Sequence, residues 1–223
     1  MQFLHLVVLL TGGALAQTPP GFSPATNISL TVKYDDINVS KGNLVPINKA
    51  AMSPSLGFTS MSKNASHFVV MVDLDAPNGT DSNSYAPFLH WSTFIPFGLD
   101  RLPGNASNMS DFAPYFGPAP PPGTGPHRYA VLLWSSQNKT FQVPPSFQSF
   151  NASDITSRIK FDVQRFAHEG QMELAAANWF TSENETAALT NTASRGGRIG
   201  ITALIVCLIP AVLCQLIQGH SDL

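Results

Sequence analysis

Two aspartates and two histidines stand where apolar runs begin or end. Asp73 and Asp75 follow the run Phe68 to Val72, His90 lies inside a second run from Phe88 to Ile95, and His127 with Arg128 leads into a third from Tyr129 to Trp134. Imidazole N–H groups and loop amides donate to phosphate oxygens, and carboxylates orient imidazoles and favour their charged form. Taken singly, each residue has a plainer reading. A histidine in a strand is commonly a satisfied core group, and an aspartate before a turn is commonly a turn cap. All four fall at strand ends or loop junctions, which allows them to converge on one concave site suited to a small phosphate ester. Paired aspartates and two histidines could also hold a metal or activate a nucleophile. The sequence has no H-E-x-x-H, no G-x-S-x-G and no P-loop.

The elements that must position these groups are strands and one rigid loop. Five consecutive apolar residues, Phe68 to Val72, predict a strand buried on both faces, and two residues apart on it Asp73 and Asp75 are expected to face the same way. Pro77 stops the ladder and Asn78-Gly79 turns the chain. Pro96 and Gly98 end the second strand. Between Tyr115 and the third strand runs YFGPAPPPGTGPHR, whose prolines exclude helix and whose glycines permit turns closed to other residues. Such a loop, ending in a His-Arg pair where a buried strand starts, reads as a ligand rim, with a simple linker as the alternative. Arg128, adjacent to His127 on a strand, points to the opposite face and is expected to form a structural ion pair.

The spacing Tyr115-x-Gly117-Pro118-x-Pro120-Pro121-x-Gly123-Thr124-Gly125-x-His127-Arg128-Tyr129 resembles the signature of the phosphatidylethanolamine-binding proteins. HFVVMVDLDAP (67–77) is similar to the family's Asp-Pro-Asp-x-Pro motif, with Leu74 in place of the middle proline, and Leu89-His90-Trp91 to its pocket-histidine strand. FDVQRFAHEG and ELAAANWF (161–180) resemble its late helix and the strand after it, so the likeness covers about Ile28 to Phe180. The resemblance implies a non-catalytic site formed by Asp73, Asp75, His90 and His127, with Pro77, Phe88, Pro121 and Tyr129 as apolar walls. It implies no cofactor and no metal. A second class also follows, since some relatives inhibit serine carboxypeptidases. A glycan on Asn78 would crowd such a partner at the pocket mouth.

The remaining elements predict a mainly β fold, an antiparallel sheet domain with one or two peripheral helices, because no βαβ alternation is visible. Ile28, Leu30, Val32 and Tyr34 alternate with polar residues as in a half-buried strand, and short strands are expected near Leu44 and Phe58. Residues 100–114 read as a polar loop, and Phe141 to Val143 as the return of a hairpin turning at Asn138-Lys139. Asp162 to Glu169 predicts a helix with Val163 and Phe166 on its apolar edge and Gly170 closing it.

Only 12% of the 223 residues are charged, and the formal net charge is −2, which excludes a basic nucleic-acid surface. Nine sequons, at Asn27, Asn38, Asn64, Asn78, Asn105, Asn108, Asn138, Asn151 and Asn184, point instead to a secreted chain whose sugars replace surface charge. Residues 1–16 read as a signal peptide cut after Ala16, 17–180 as the folded domain, and 181–198 as a polar stalk. Residues 199–223 carry a nineteen-residue apolar stretch from Ile199 to Ile217. With small residues at Asn191-Thr192-Ala193 and no Lys or Arg beyond the stretch, this matches a GPI-attachment signal at Asn191, with a single-pass helix as the alternative. Both cysteines, Cys207 and Cys214, lie in that tail and read as apolar filler.

Overall fold

The computed structural model describes residues 16–58, 65–79, 84–105, 110–136 and 142–184. The two terminal signals, Asn191, the tail cysteines and most of the stalk lie outside them.

The run around Val70 becomes β4 (Ser66–Asp73), and all eight of its residues are buried. It is the central strand of a five-stranded antiparallel sheet, ordered β7-β5-β4-β8-β9, with β5 (Phe88–Ile95), β7 (Ser110–Ala113), β8 (His127–Ser136) and β9 (Glu173–Ser182). A second sheet, ordered β2-β1-β3-β6, contains β1 (Thr31–Tyr34), β2 (Ile37–Asn38), β3 (Ser55–Gly57) and β6 (Arg101–Leu102). Side chains alternate across a strand, so β4 is covered twice. Val69 and Met71 join Leu30, Val32, Leu56, Val131 and Phe180 in a core that draws on both sheets. Phe68, Val70 and Val72 join Leu132, Trp134 and the helix α1 (Val163–Glu169) on the other face. Three layers result, and an unbroken apolar run is what a middle layer requires.

Helix α1 begins where Asp162 accepts from Arg165 N at 2.9 Å and ends at Gly170, burying Val163, Phe166 and Ala167. Full burial of a side chain such as Phe166 stabilises by about 1.5–3 kcal/mol. It is the single α-helix among the described residues, joined by 3-10 turns at Pro145–Phe147 and Ile155–Arg158.

Several expectations are corrected. The first strand starts at Thr31, and Ile28 is 45% exposed, because only Leu30, Val32 and Tyr34 reach the core. The expected loop over 100–114 contains β6 and β7, which use the backbone to edge the two sheets. Gln142 and Val143 are not in a strand, since β8 is flanked by β4 and β9 and Pro144-Pro145 follow. The last strand runs on through Thr181 and Ser182 before the stalk composition begins.

Candidate functional site

Sheet register assembles the site. Asp73, the last residue of β4, pairs with Phe88 on one side and Tyr129 on the other, so the start of β5 and the start of β8 meet at its carboxylate. His90 arrives by an irregularity. Met71 pairs with Trp91 but Val72 pairs with Leu89, which leaves His90 as an extra residue in a β-bulge. Regular pairing with Val72 would turn its imidazole toward α1; the bulge re-aims it to the face that carries Asp73 and Tyr129. Its ring packs edge-on against Tyr129 with centroids 5.2 Å apart.

Asp73 Oδ2 accepts from His127 Nδ1 at 2.8 Å and lies 4.0 Å from His90 Nε2, while Oδ1 accepts the Asp75 amide at 2.8 Å. His127 Nε2 is 2.9 Å from Thr124 Oγ1, whose hydroxyl donates to the carbonyl of Pro121 at 2.8 Å. His90 Nδ1 is 2.7 Å from the Phe116 carbonyl and must donate to it. Burial lowers the His90 pKa, against the opposing pull of Asp73 and of the Phe116 bond. Neutral His90 therefore keeps its proton on Nδ1 and presents Nε2 as a lone pair.

Asp73, His90 and His127 form the floor of a narrow cavity of about 30 Å³ walled by Ala76, Pro77, Tyr85, Phe88, Phe116, Ala119 and Pro121. That is room for the end of a ligand, not for a whole lipid. The wall loop is held in place by close approach. Tyr115 donates to the Ala50 carbonyl at 2.8 Å, and a Cβ on Gly117 would come within 2.9 Å of the same oxygen. Gly123 and Gly125 have φ of 83° and 76°, the left-handed region that favours glycine.

Two of the expected residues lie off the pocket wall. Asp75 sits beyond the end of β4, so the two-residue period of the strand no longer applies to it. Its carboxylate takes Arg128 N at 2.8 Å, Nε at 2.9 Å and Nη2 at 2.7 Å. Burial raises the Asp75 pKa, and the Arg128 bonds and charge outweigh it, leaving a net lowering. Arg128 thus forms the structural ion pair expected of it. Tyr129 is fully buried behind the floor, stacked on Phe180 at 5.2 Å, and burial followed by the Asp73 charge raises its pKa well above the usual phenol range.

Arg158 carried no functional signal in the sequence. It is 5% exposed and donates to the carbonyls of Leu89 and His90 at 3.0 and 3.3 Å and of Pro114 at 3.0 Å. The guanidinium thereby ties the bulge on β5 to the start of the wall loop. Its charge adds to the lowering of the His90 pKa.

A wider cleft of about 230 Å³ lies at the opposite end of β4, lined among others by His67, Pro144, Glu169 and Met172. Its histidine is bonded to Ser135 at 2.9 Å and Glu169 to Ser146 and Arg165, and among the described residues no aspartate lines it. Among the described residues no group of three or more His, Cys, Asp or Glu is placed to hold a metal ion. Asn27, Asn38, Asn78, Asn105 and Asn151 are exposed and Asn184 is half-buried. Asn64, Asn108 and Asn138 lie outside the described residues.

Comparison with known proteins agrees with this architecture. The sequence model of the family described as phosphatidylethanolamine-binding protein matches residues 29–187. Phomoidride biosynthesis cluster protein N of Talaromyces stipitatus is 31% identical over 194 residues, covering 79% of this chain and 95% of that protein. Carboxypeptidase Y inhibitor of Saccharomyces cerevisiae is 29% identical over 192 residues, covering 70% and 84%. The solved structure of carboxypeptidase Y inhibitor complexed with the cognate proteinase superposes with a TM-score of 0.55 at 25% identity, covering 72% of this chain and 85% of that one. Phosphatidylethanolamine-binding protein from Plasmodium vivax shares the fold, with a TM-score of 0.57 at 19% identity over 74% of this chain and 92% of that one. On the family match across most of its length and the relative at 31% identity, the chain belongs to the phosphatidylethanolamine-binding protein family.

Proposed function

We propose that this protein is a non-catalytic binder of a small phosphate ester, such as the phosphorylethanolamine end of a phospholipid, displayed at the cell surface. The observation that carries the reading is the shared Asp73 carboxylate, with His127 at 2.8 Å and His90 at 4.0 Å on the floor of one apolar-walled pocket. A phosphate oxygen entering there meets two imidazoles whose orientation the carboxylate, Thr124 and the Phe116 carbonyl already fix, and His90 becomes a donor to it by taking a proton at Nε2. Pre-ordered donors spare the ligand the cost of ordering them. The surface location rests on the N-terminal apolar leader, the density of sequons, five of which are exposed, and the apolar tail after Asn191. Following the imidazole resonances of His90 and His127 by NMR during titration with phosphorylethanolamine tests the pocket. Both should shift together and saturate. Shifts confined to residues outside the pocket would overturn the assignment.

A second reading, inhibition of a serine carboxypeptidase by surface contact, is favoured by the relative and the solved complex that carry that name. The pocket is too narrow to admit a protein segment of any length. Such contact would use the exterior, and Asn78, exposed one residue beyond the wall residue Pro77, is where a glycan would obstruct it. An inhibition assay with and without enzymatic deglycosylation separates the two readings.

A further inference from the structure

The last strand of the domain ends at the pocket. Ser182, the final residue of β9, pairs with His127, and Thr181 pairs with Arg128, so the chain leaves the fold at the level of the histidine floor. The opposite end of β9 begins at Glu173, paired with Ser135, ten residues and about 30 Å away. The start of the domain lies at the same end as the pocket, since Arg128 donates to the Pro20 carbonyl at 3.2 Å. Exposure also rises in this direction. Asp73, Asp75 and Ala76 are buried, whereas Pro77, Asn78 and, across the cavity, Tyr85 and Pro121 are partly or fully exposed, so the mouth opens beyond the strand ends.

Beyond Ser182 nine residues, Glu183 to Asn191, reach the expected lipid-attachment site, and sixteen reach the apolar stretch that starts at Ile199. Fully extended, nine residues span at most about 30 Å and sixteen at most about 55 Å. From the exit beside His127, a tether of that length keeps the mouth nearer the membrane than the Glu173 end. We propose that the pocket faces the bilayer to which the chain's own tail attaches, and that its ligand is the headgroup of a lipid in that same bilayer. This rests on the phosphate-ester reading above. Among the described residues the pocket lining contains no Lys or Arg, so the orientation does not rest on cations in the lining. The tether supplies it, and raises the local headgroup concentration so that even a millimolar affinity gives occupancy. The cavity of about 30 Å³ fits this arrangement, because it needs to take only the end of a lipid whose chains stay in the membrane.

The test uses the full chain displayed on cells, with Cys207→Ser and Cys214→Ser removing the native thiols and a donor dye placed at either Ser84→Cys or Glu173→Cys. Ser84 is exposed beside the wall residue Tyr85, and Glu173 is exposed at the far end of the sheet. Energy transfer to an acceptor on outer-leaflet lipid headgroups should be at least twofold higher from position 84. Equal transfer, or higher transfer from position 173, overturns the orientation, as does labelling of neither variant on intact cells. Phosphorylethanolamine is titrated onto the same displayed chains. Binding without the transfer difference removes this inference and leaves the phosphate-ester reading standing. A transfer difference without binding removes that reading, and with it the lipid headgroup as ligand.

Discussion

Asp73 and His127 are joined by a 2.8 Å hydrogen bond although 54 positions separate them, and Asp75, two residues past Asp73, repeats the pattern with Arg128, the neighbour of His127. Two neighbouring pairs thus divide the work. The first pair faces the cavity and fixes the His127 ring in it, and the second locks the strand ends that hold the first.

Arg128→Ala should therefore lower stability without weakening ligand binding. The Asp75 side chain is 3% exposed and that of Arg128 31%, so the cost of leaving a buried carboxylate unpaired is discounted to about 1–3 kcal/mol. The Asp75 pKa is lowered in the fold, so this stability is present above the ordinary value of 3.8 and is lost as pH falls through the lowered one. Denaturant unfolding should show a gap between parent and variant at pH 7 that narrows progressively as the pH falls below 3.8. A gap that persists in acid would refute the assignment.

His90 makes a pH prediction with the opposite chemistry. Burial holds its folded pKa below 6.5, so the unfolded chain takes up the proton first. The His90 contribution to stability is complete above pH 6.5 and is lost as pH falls from there toward the folded value. Nε2 of neutral His90 is a lone pair, so an anionic oxygen binds there only with a proton. Calorimetry of phosphorylethanolamine binding at pH 7 in buffers of different ionisation enthalpy should report proton uptake, and affinity should rise between pH 8 and 6. Affinity and heats that ignore pH and buffer would show that His90 is not a ligand contact.

Arg158→Met removes a charged donor from three carbonyls, of which that of His90 keeps the Phe116 amide at 2.8 Å, and should destabilise by about 2–3 kcal/mol. It should also raise the pKa of His90, because the guanidinium charge helps to depress it. NMR titration of the His90 ring checks this. Arg158→Lys should retain most of the depression while recovering only part of the stability, and an unchanged His90 titration in both variants would assign Arg158 to packing alone.

The strands and the site were not equally legible in the sequence. A five-residue apolar run can be satisfied only by cover on both faces, so the burial of β4 on both sides was readable, as was α1 with Gly170 closing it. The strands β6 and β7 were hidden in polar sequence because edge strands are held by backbone bonds that side chains do not announce. Asp73, His127 and the wall loop were placed by motif. Asp75 was misplaced because strand alternation was extended one turn beyond the strand. The route of His90 into the pocket depends on a bulge, and that of Arg158 on a 3-10 turn from a distant segment, and neither leaves a periodic trace.

The most direct test of the account is calorimetric titration of phosphorylethanolamine into the parent, Asp73→Ala and His127→Ala proteins at pH 7, with circular dichroism confirming that each is folded. Loss of a charged hydrogen-bonding partner should cost about 1.5–3 kcal/mol, one to two decades of affinity. The account predicts binding by the parent and a weakening of about tenfold to a hundredfold in both variants. Binding by both variants equal to that of the parent, or no binding by the parent at millimolar ligand, would contradict it.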